Sequence, residues 1–142
     1  MKLVLDTNIL IAAFIAKGTC HTLVERCLQI HTTTTSAFIL GELQDKLTGK
    51  FKYSQEDVAL IETLLRSRMQ VVEPVALGRN ICRDVDDDWV LATALTGNAD
   101  CIITGDKDLL ALKSFEAINI LSPSAFEAYE EKFSTGAGSE YC

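Results

Sequence analysis

Apolar positions along the chain fall into two rhythms, short β-rich runs and longer stretches at helical spacing, and these alternate from end to end. KLVL (2–5), TTTT (32–35), QVVEPV (70–75), CIIT (101–104) and INIL (118–121) are the strand candidates. Between them, residues 19–30 carry Cys20, Leu23, Val24, Cys27 and Leu28 on one helical face, and residues 54–68 carry Val58, Ile61, Leu64 and Leu65 behind a Ser54/Asp57 capping box. TTTT is the most polar of the strand candidates, which points to an exposed or sheet-edge strand. Ser122-Pro123 supplies an N-cap and a proline at the first helical position, opening a last helix to about Phe133. The remaining STGAGSEYC, residues 134–142, reads as a flexible tail. Strand–helix alternation predicts parallel strands joined by right-handed crossovers, hence a three-layer α/β/α sandwich around about five strands, in one domain over residues 1–133.

Composition narrows the setting. The 142 residues, 48% of them hydrophobic, are enough for one sizeable core and too few for two comfortable domains. The longest apolar stretch, residues 9–16, is short against the roughly 20 residues needed to span a bilayer, and no cationic leader precedes it, so the expectation is a soluble, cytoplasmic protein without a membrane partner. Five cysteines, Cys20, Cys27, Cys82, Cys101 and Cys142, contain no CxxC pair and suggest neither a zinc site nor a disulfide framework. The formal charge of −7 argues against a broad cationic surface wrapped by nucleic acid. The imbalance is regional, because Asp84, Asp86, Asp87, Asp88, Asp100, Asp106 and Asp108 crowd into one stretch.

That crowding changes the picture, because in a parallel α/β sheet all strands end on one edge and the crossover helices start there. Asp6 follows the first strand, Asp106 follows CIIT through Thr104-Gly105, and Asp87 opens the apolar pattern Val90, Leu91, Ala94, Leu95. Glu42 falls between Phe38 and Ile39 on the helical wheel of SAFILGELQDKL, facing inward, about 9 Å into its helix. Each acid also has a plain structural reading. The DDDW and TGDKDLL aspartates suit helix caps, and Glu42 suits an i,i+4 pair with Lys46. Asp6 resists this reading best, since a neutral Ser would cap as well without burying charge.

Carboxylates packed together repel by about 4 kcal/mol at 4 Å and an effective dielectric near 20, so a cluster calls for protons or a cation. With oxygen donors, and neither His21 nor His31 beside an acid in the sequence, Mg²⁺ or Mn²⁺ fits better than zinc. Thr7 and Asn8, with Thr104, then offer neutral hydrogen bonds that orient the acids.

Four motifs, in order, resemble those of the PIN-domain family of metal-dependent ribonucleases: LVLDTNIL, GEL, RDVDDDWVLATAL and ADCIITGDKDLL, spanning about residues 2–123. The last two closely resemble the branch of toxins from toxin–antitoxin pairs. The resemblance implies a parallel Rossmann-like sheet, frequent homodimers, an antitoxin partner, and one or two Mg²⁺ or Mn²⁺ ions at an acidic pocket cutting single-stranded RNA. Carried over by position, the catalytic and metal-binding acids are Asp6, Glu42, Asp87 and Asp106, with Asp84 and Asp108 as further or alternate ligands. Val85 stands where this branch often has Pro, which leaves the choice among the four neighbouring acids open.

The chemistry expected is in-line hydrolysis of a phosphodiester, with Asp106 the candidate general base. A histidine-driven ribonuclease is disfavoured because His21 and His31 lie some 80° out of register on or near one helix. For RNA grip, Arg79 and Arg83 precede the acids, free for phosphate or paired with Asp84 or Asp86. Lys50 and Lys52 interleave with Phe51 and Tyr53, as base-stacking partners or as a solvated loop with anchored rings. Two rival readings stand beside this one. A receiver-like signalling domain wants an adjacent acidic pair near its start and a lone Lys after a later strand, whereas Asp6 has no acidic neighbour and Lys107 stands between two acids. A PIN-like protein that binds RNA or an antitoxin without cutting is the other.

Overall fold

A computed structural model describes residues 1–140, with side chains through Phe133. The chain runs β1 (Lys2–Leu5), α1 (Thr7–Ile15), α2 (Thr19–Ile30), β2 (Thr32–Ser36), α3 (Ala37–Gly49), α4 (Gln55–Arg68) and β3 (Gln70–Val72). It continues through α5 (Val85–Thr96), β4 (Cys101–Ile103), α6 (Lys107–Leu112), β5 (Ser114–Phe115), β6 (Ile118–Leu121) and α7 (Pro123–Glu140). The strands form one sheet in the order β3-β2-β1-β4-β6-β5, parallel except for β5 against β6. Among the described residues no single helix is long and apolar enough to cross a membrane.

The order reverses between β1 and β4: the chain moves outward from β1 through β2 to β3, then returns to lay β4 on the other side of β1. Right-handed crossovers in opposite directions place α1–α4 on one face and α5–α6 on the other. The crevice at the carboxyl ends of β1 and β4 is therefore a topological switch point, where open α/β sheets bind ligands. Leu3, Val4 and Leu5 of β1, Ile102 and Ile103 of β4, Leu10, Leu91 and Phe126 fill the core around it.

Three elements depart from expectation. TTTT is not an exposed or edge strand: β2 lies between β1 and β3, and Thr33, Thr34 and Thr35 are buried. Threonine's β-branched shape fits a pleated surface, and the methyl of Thr34 packs so close to Gly97 that a Cβ there would sit 2.6 Å from it. QVVEPV pairs only over Gln70–Val72 and takes the edge, since Pro74 has no N–H to give a ladder. The strand beyond the five expected, β5, returns into β6 through a two-residue loop in which Glu116 and Ala117 both have positive φ (49° and 68°). That backbone ordinarily recruits Asn or Gly, so no local signal announces the hairpin. The last helix begins at Pro123 as expected and is helical to Glu140, past Phe133; of the expected flexible tail, residues 141–142 and the side chains of 134–140 lie outside the described residues.

Candidate active site at the switch point

Asp6 ends β1 and caps α1. Its Oδ1 accepts the Thr7 N–H at 2.8 Å, and its Oδ2 accepts the Thr104 hydroxyl at 2.6 Å. Thr104 in turn accepts the Asp106 N–H at 3.0 Å, so one buried hydroxyl fixes an acid from β1 and an acid from the β4 loop together. Burial pushes the Asp6 carboxyl up, opposed by the hydrogen bonds of Thr104 and Thr7 and reinforced by the charge of Asp106.

Asp106 caps α6: its Oδ1 accepts from the N–H groups of Asp108 at 2.8 Å and Leu109 at 3.1 Å. Across the crevice, the run of acids at the start of α5 divides by what each carboxylate holds. Asp84 is the N-cap and accepts from Asp86 N–H. Asp88 is turned to the preceding loop and accepts from the N–H groups of Ile81 and Cys82. Asp86 is exposed. Asp87 and Asp88 are both buried, 8% and 7% exposed, but only Asp87 is buried without a hydrogen bond to its carboxylate among the described residues. Burial and then the charges of Asp106, Asp6, Asp84 and Asp108 push its pKa up to about 7.

Oxygens of Asp87, Asp106 and Asp108 all lie within 4.8 Å of one another. Asp6 stands beside this group with both oxygens engaged. Glu42 is outside the three-acid convergence but tied to it: the Thr7 hydroxyl donates to its Oε1 at 2.8 Å, and burial, then Asp86 and Asp6, raise its carboxyl against the opposing pull of Thr7 and Lys46. Lys46 reaches Asn8 Oδ1 at 3.4 Å and forms no ion pair with Glu42 among the described residues. Three hard oxygen donors on a partly buried site, one of them with its pKa raised to about 7 by burial and neighbouring charge, fit a small divalent cation and do not fit a zinc site, which favours nitrogen or sulfur.

The candidate RNA contacts are placed as follows. Arg79 pairs with Glu116 at 3.6 Å and Arg83 with Asp108 at 2.8 Å, so neither takes the alternative pairing with Asp84 or Asp86. The Phe51 and Tyr53 rings are anchored against the core, with the Tyr53 hydroxyl donating to Phe14 O at 2.9 Å, which leaves Lys50 and Lys52 exposed. Lys50 lies 5.5 Å above the Phe51 ring. Both histidines meet an acid in space, though far from the cluster: His21 lies 3.4 Å from Glu25, and His31 is bonded to Glu130. The sequence reading missed the clamp made by Asp88, for which an acid followed by Trp gave no signal distinct from capping.

Comparisons with known proteins bear on the family and the fold. A family described as PIN domain matches residues 2–108, a span that begins before Asp6 and ends on Asp108. An uncharacterized protein of Methanocaldococcus jannaschii is 31% identical over 119 residues, covering 80% of this chain and 76% of that protein. Among solved structures, VapBC-1 from nontypeable Haemophilus influenzae superposes with a TM-score of 0.60 at 23% identity, over 87% of this chain and 99% of that one. VapBC2 from Rickettsia felis, bound to a DNA fragment from its promoter, gives 0.58 at 19% identity, over 86% and 98%. FitAcB from Neisseria gonorrhoeae gives 0.52 at 18% identity, over 85% and 97%. At these identities the structural likeness is one of fold.

Proposed function

We propose, from the premise that this chain belongs to the PIN-domain family, that it is a Mg²⁺- or Mn²⁺-dependent endoribonuclease cutting single-stranded RNA, the toxin of a toxin–antitoxin pair. The observation that carries this reading is the convergence of Asp87, Asp106 and Asp108 beside Asp6 at the switch point, with burial and then the neighbouring aspartates pushing the pKa of Asp87 up to about 7. An antitoxin partner completes the proposal, supported by the likeness to the VapBC and FitAcB proteins; a homodimer and a cytoplasmic setting belong to it as what the family resemblance implies.

Asp87, Asp106 and Asp108 would hold the cation, with Asp6 and, through Thr7, Glu42 contributing charge and orientation; Asp84 is occupied as a cap and serves the site by fixing α5. When bound, the ion supplies Lewis-acid polarisation of the phosphodiester and charge neutralisation along an in-line path. Thr104 keeps Asp6 and Asp106 in register, which matters because displacement of about 1 Å is costly in a pre-organised site. Asp106 commits Oδ1 to two N–H groups and leaves Oδ2 without a hydrogen bond among the described residues, suiting that oxygen to a ligand or general-base role. The raised pKa of Asp87 comes from burial first and the surrounding aspartates second, and a cation in the cluster would oppose both by favouring the ionised form.

Fluorogenic single-stranded RNA incubated with the protein, with and without Mn²⁺, tests the reading. Cleavage requires the ion and disappears in Asp6→Asn; RNA left whole by the parent in Mn²⁺ rejects the nuclease and leaves a binding protein of the same fold.

A further inference from the structure

Arg83 ends the loop between β3 and α5, and a carboxylate outside the acid cluster sets where it emerges. Asp88, in the first turn of α5, accepts the backbone N–H of Ile81 at 3.2 Å and of Cys82 at 2.8 Å. The loop is thereby fastened to the helix start one residue before Arg83. From there Arg83 Nη2 donates to Asp108 Oδ1 at 2.8 Å, and Asp108 is one of the three acids whose oxygens converge. The arginine side chain is 87% exposed, and among the described residues no other cation forms an ion pair with Asp87, Asp106 or Asp108.

We propose that Arg83 is a phosphate-binding residue of the RNA site, docked on Asp108 when the acid cluster lacks its divalent ion and freed for the RNA backbone when Asp108 turns to that ion. The inference rests on the nuclease reading and assigns the residue that grips the substrate beside the acids. Asp108 cannot give the same oxygen lone pairs to both cations. An exposed ion pair is weak and screened by salt, so Arg83 yields readily. Three carboxylates and one divalent ion leave a negative charge in excess, which would oppose an incoming phosphodiester; a freed guanidinium on a fastened loop cancels that excess at the rim. Its planar, permanently charged fork matches two phosphate oxygens at once.

The test compares the parent with Arg83→Met, Arg83→Lys and Arg79→Met, the last removing a guanidinium that pairs with Glu116 instead. Isothermal titration with Mn²⁺, without RNA, reads the competition for Asp108; KM and kcat on single-stranded RNA at saturating Mn²⁺ read the grip. Arg83→Met binds Mn²⁺ roughly two- to fivefold more tightly, the factor set by the small worth of an exposed pair. It also raises KM by about tenfold with a smaller change in kcat, as loss of a charge-assisted phosphate contact does. Arg83→Lys returns the Mn²⁺ affinity toward the parent while KM stays raised, for want of the fork. Arg79→Met leaves the Mn²⁺ affinity at the parent value. If the parent cuts RNA but Arg83→Met binds Mn²⁺ no more tightly, or does so only as much as Arg79→Met, or leaves KM unchanged, the inference is overturned and the nuclease reading stands. A parent that binds Mn²⁺ and cuts no RNA overturns both.

Discussion

Glu130 and Asp87 are carboxylates of nearly equal burial, 7% and 8% exposed, at opposite ends of the same sheet, and they have opposite fates. Glu130, on α7, sits by the amino ends of the strands, where its Oε1 accepts from Arg26 Nε at 2.8 Å and its Oε2 meets His31 Nε2. Burial alone would raise its pKa, but His31 and Arg26 bring it below the ordinary value. Asp87, by the carboxyl ends, has four further aspartates in its field and, among the described residues, no cation paired with it. The first anion is complete within the fold. The second is stable only as far as the rest of the molecule tolerates it, which is what the proposed cation site would require.

Substitution should separate the two ends most sharply. Asp87→Asn is expected to lower Mn²⁺-dependent RNA cleavage by roughly 10²–10³-fold or more in initial-rate assays, on the scale of losing a group that stabilises transition-state charge. The same change removes repulsion, so the metal-free variant should melt no lower than the parent; a large fall in its midpoint would mean that Asp87 supports the fold as Glu130 does. Glu130→Gln should do the reverse, costing about 2–3 kcal/mol in urea denaturation by leaving Arg26 and His31 short of their partner, while metal-dependent cleavage at a permissive temperature persists.

Adding Mn²⁺ at about 100 times its Kd should stabilise the parent by about 2.7 kcal/mol, seen as a raised thermal midpoint, and stabilise Asp87→Asn far less. The pH dependence has two signs. Asp87 titrates near 7 in the folded protein and near 4 in the unfolded chain, so its ionisation penalty is absent below about 4, grows as pH rises, and is complete above about 7. Glu130 contributes stability that is present above the ordinary carboxylate pKa and is lost as pH falls through its lowered folded value. Midpoints measured across pH without metal should therefore fall on both sides of a mildly acidic maximum. Asp87→Asn flattens the neutral limb, Glu130→Gln flattens the acid limb, and Mn²⁺ lifts the neutral limb alone. The smallest expected effect is Thr7→Val, which unties Glu42 from the site; a loss of about 1 kcal/mol in denaturation would fit one hydrogen bond, and the Mn²⁺ affinity should weaken modestly alongside.

Much of this was legible in the chain. Helix α2 and the capped start of α4 are carried by local periodicity and by Ser54, and β1, β4 and β6 by short apolar runs, all interactions within a few residues. Strand–helix alternation fixed the parallel sheet, and the positions of Asp6, Asp87 and Asp106 at strand ends or helix starts placed them on one rim. The tertiary structure alone decided the burial of β2 between β1 and β3, the β5 hairpin turning on Glu116-Ala117, and the division of labour among Asp84, Asp86, Asp87 and Asp88. It also decided that Glu130 meets Arg26 and His31, about a hundred residues earlier in the chain, and that Asp87 meets no cation among the described residues. Caps and periods depend on neighbours in sequence, whereas the state of a carboxylate depends on which charges and donors surround it in space, and that company exists only once the sheet has closed.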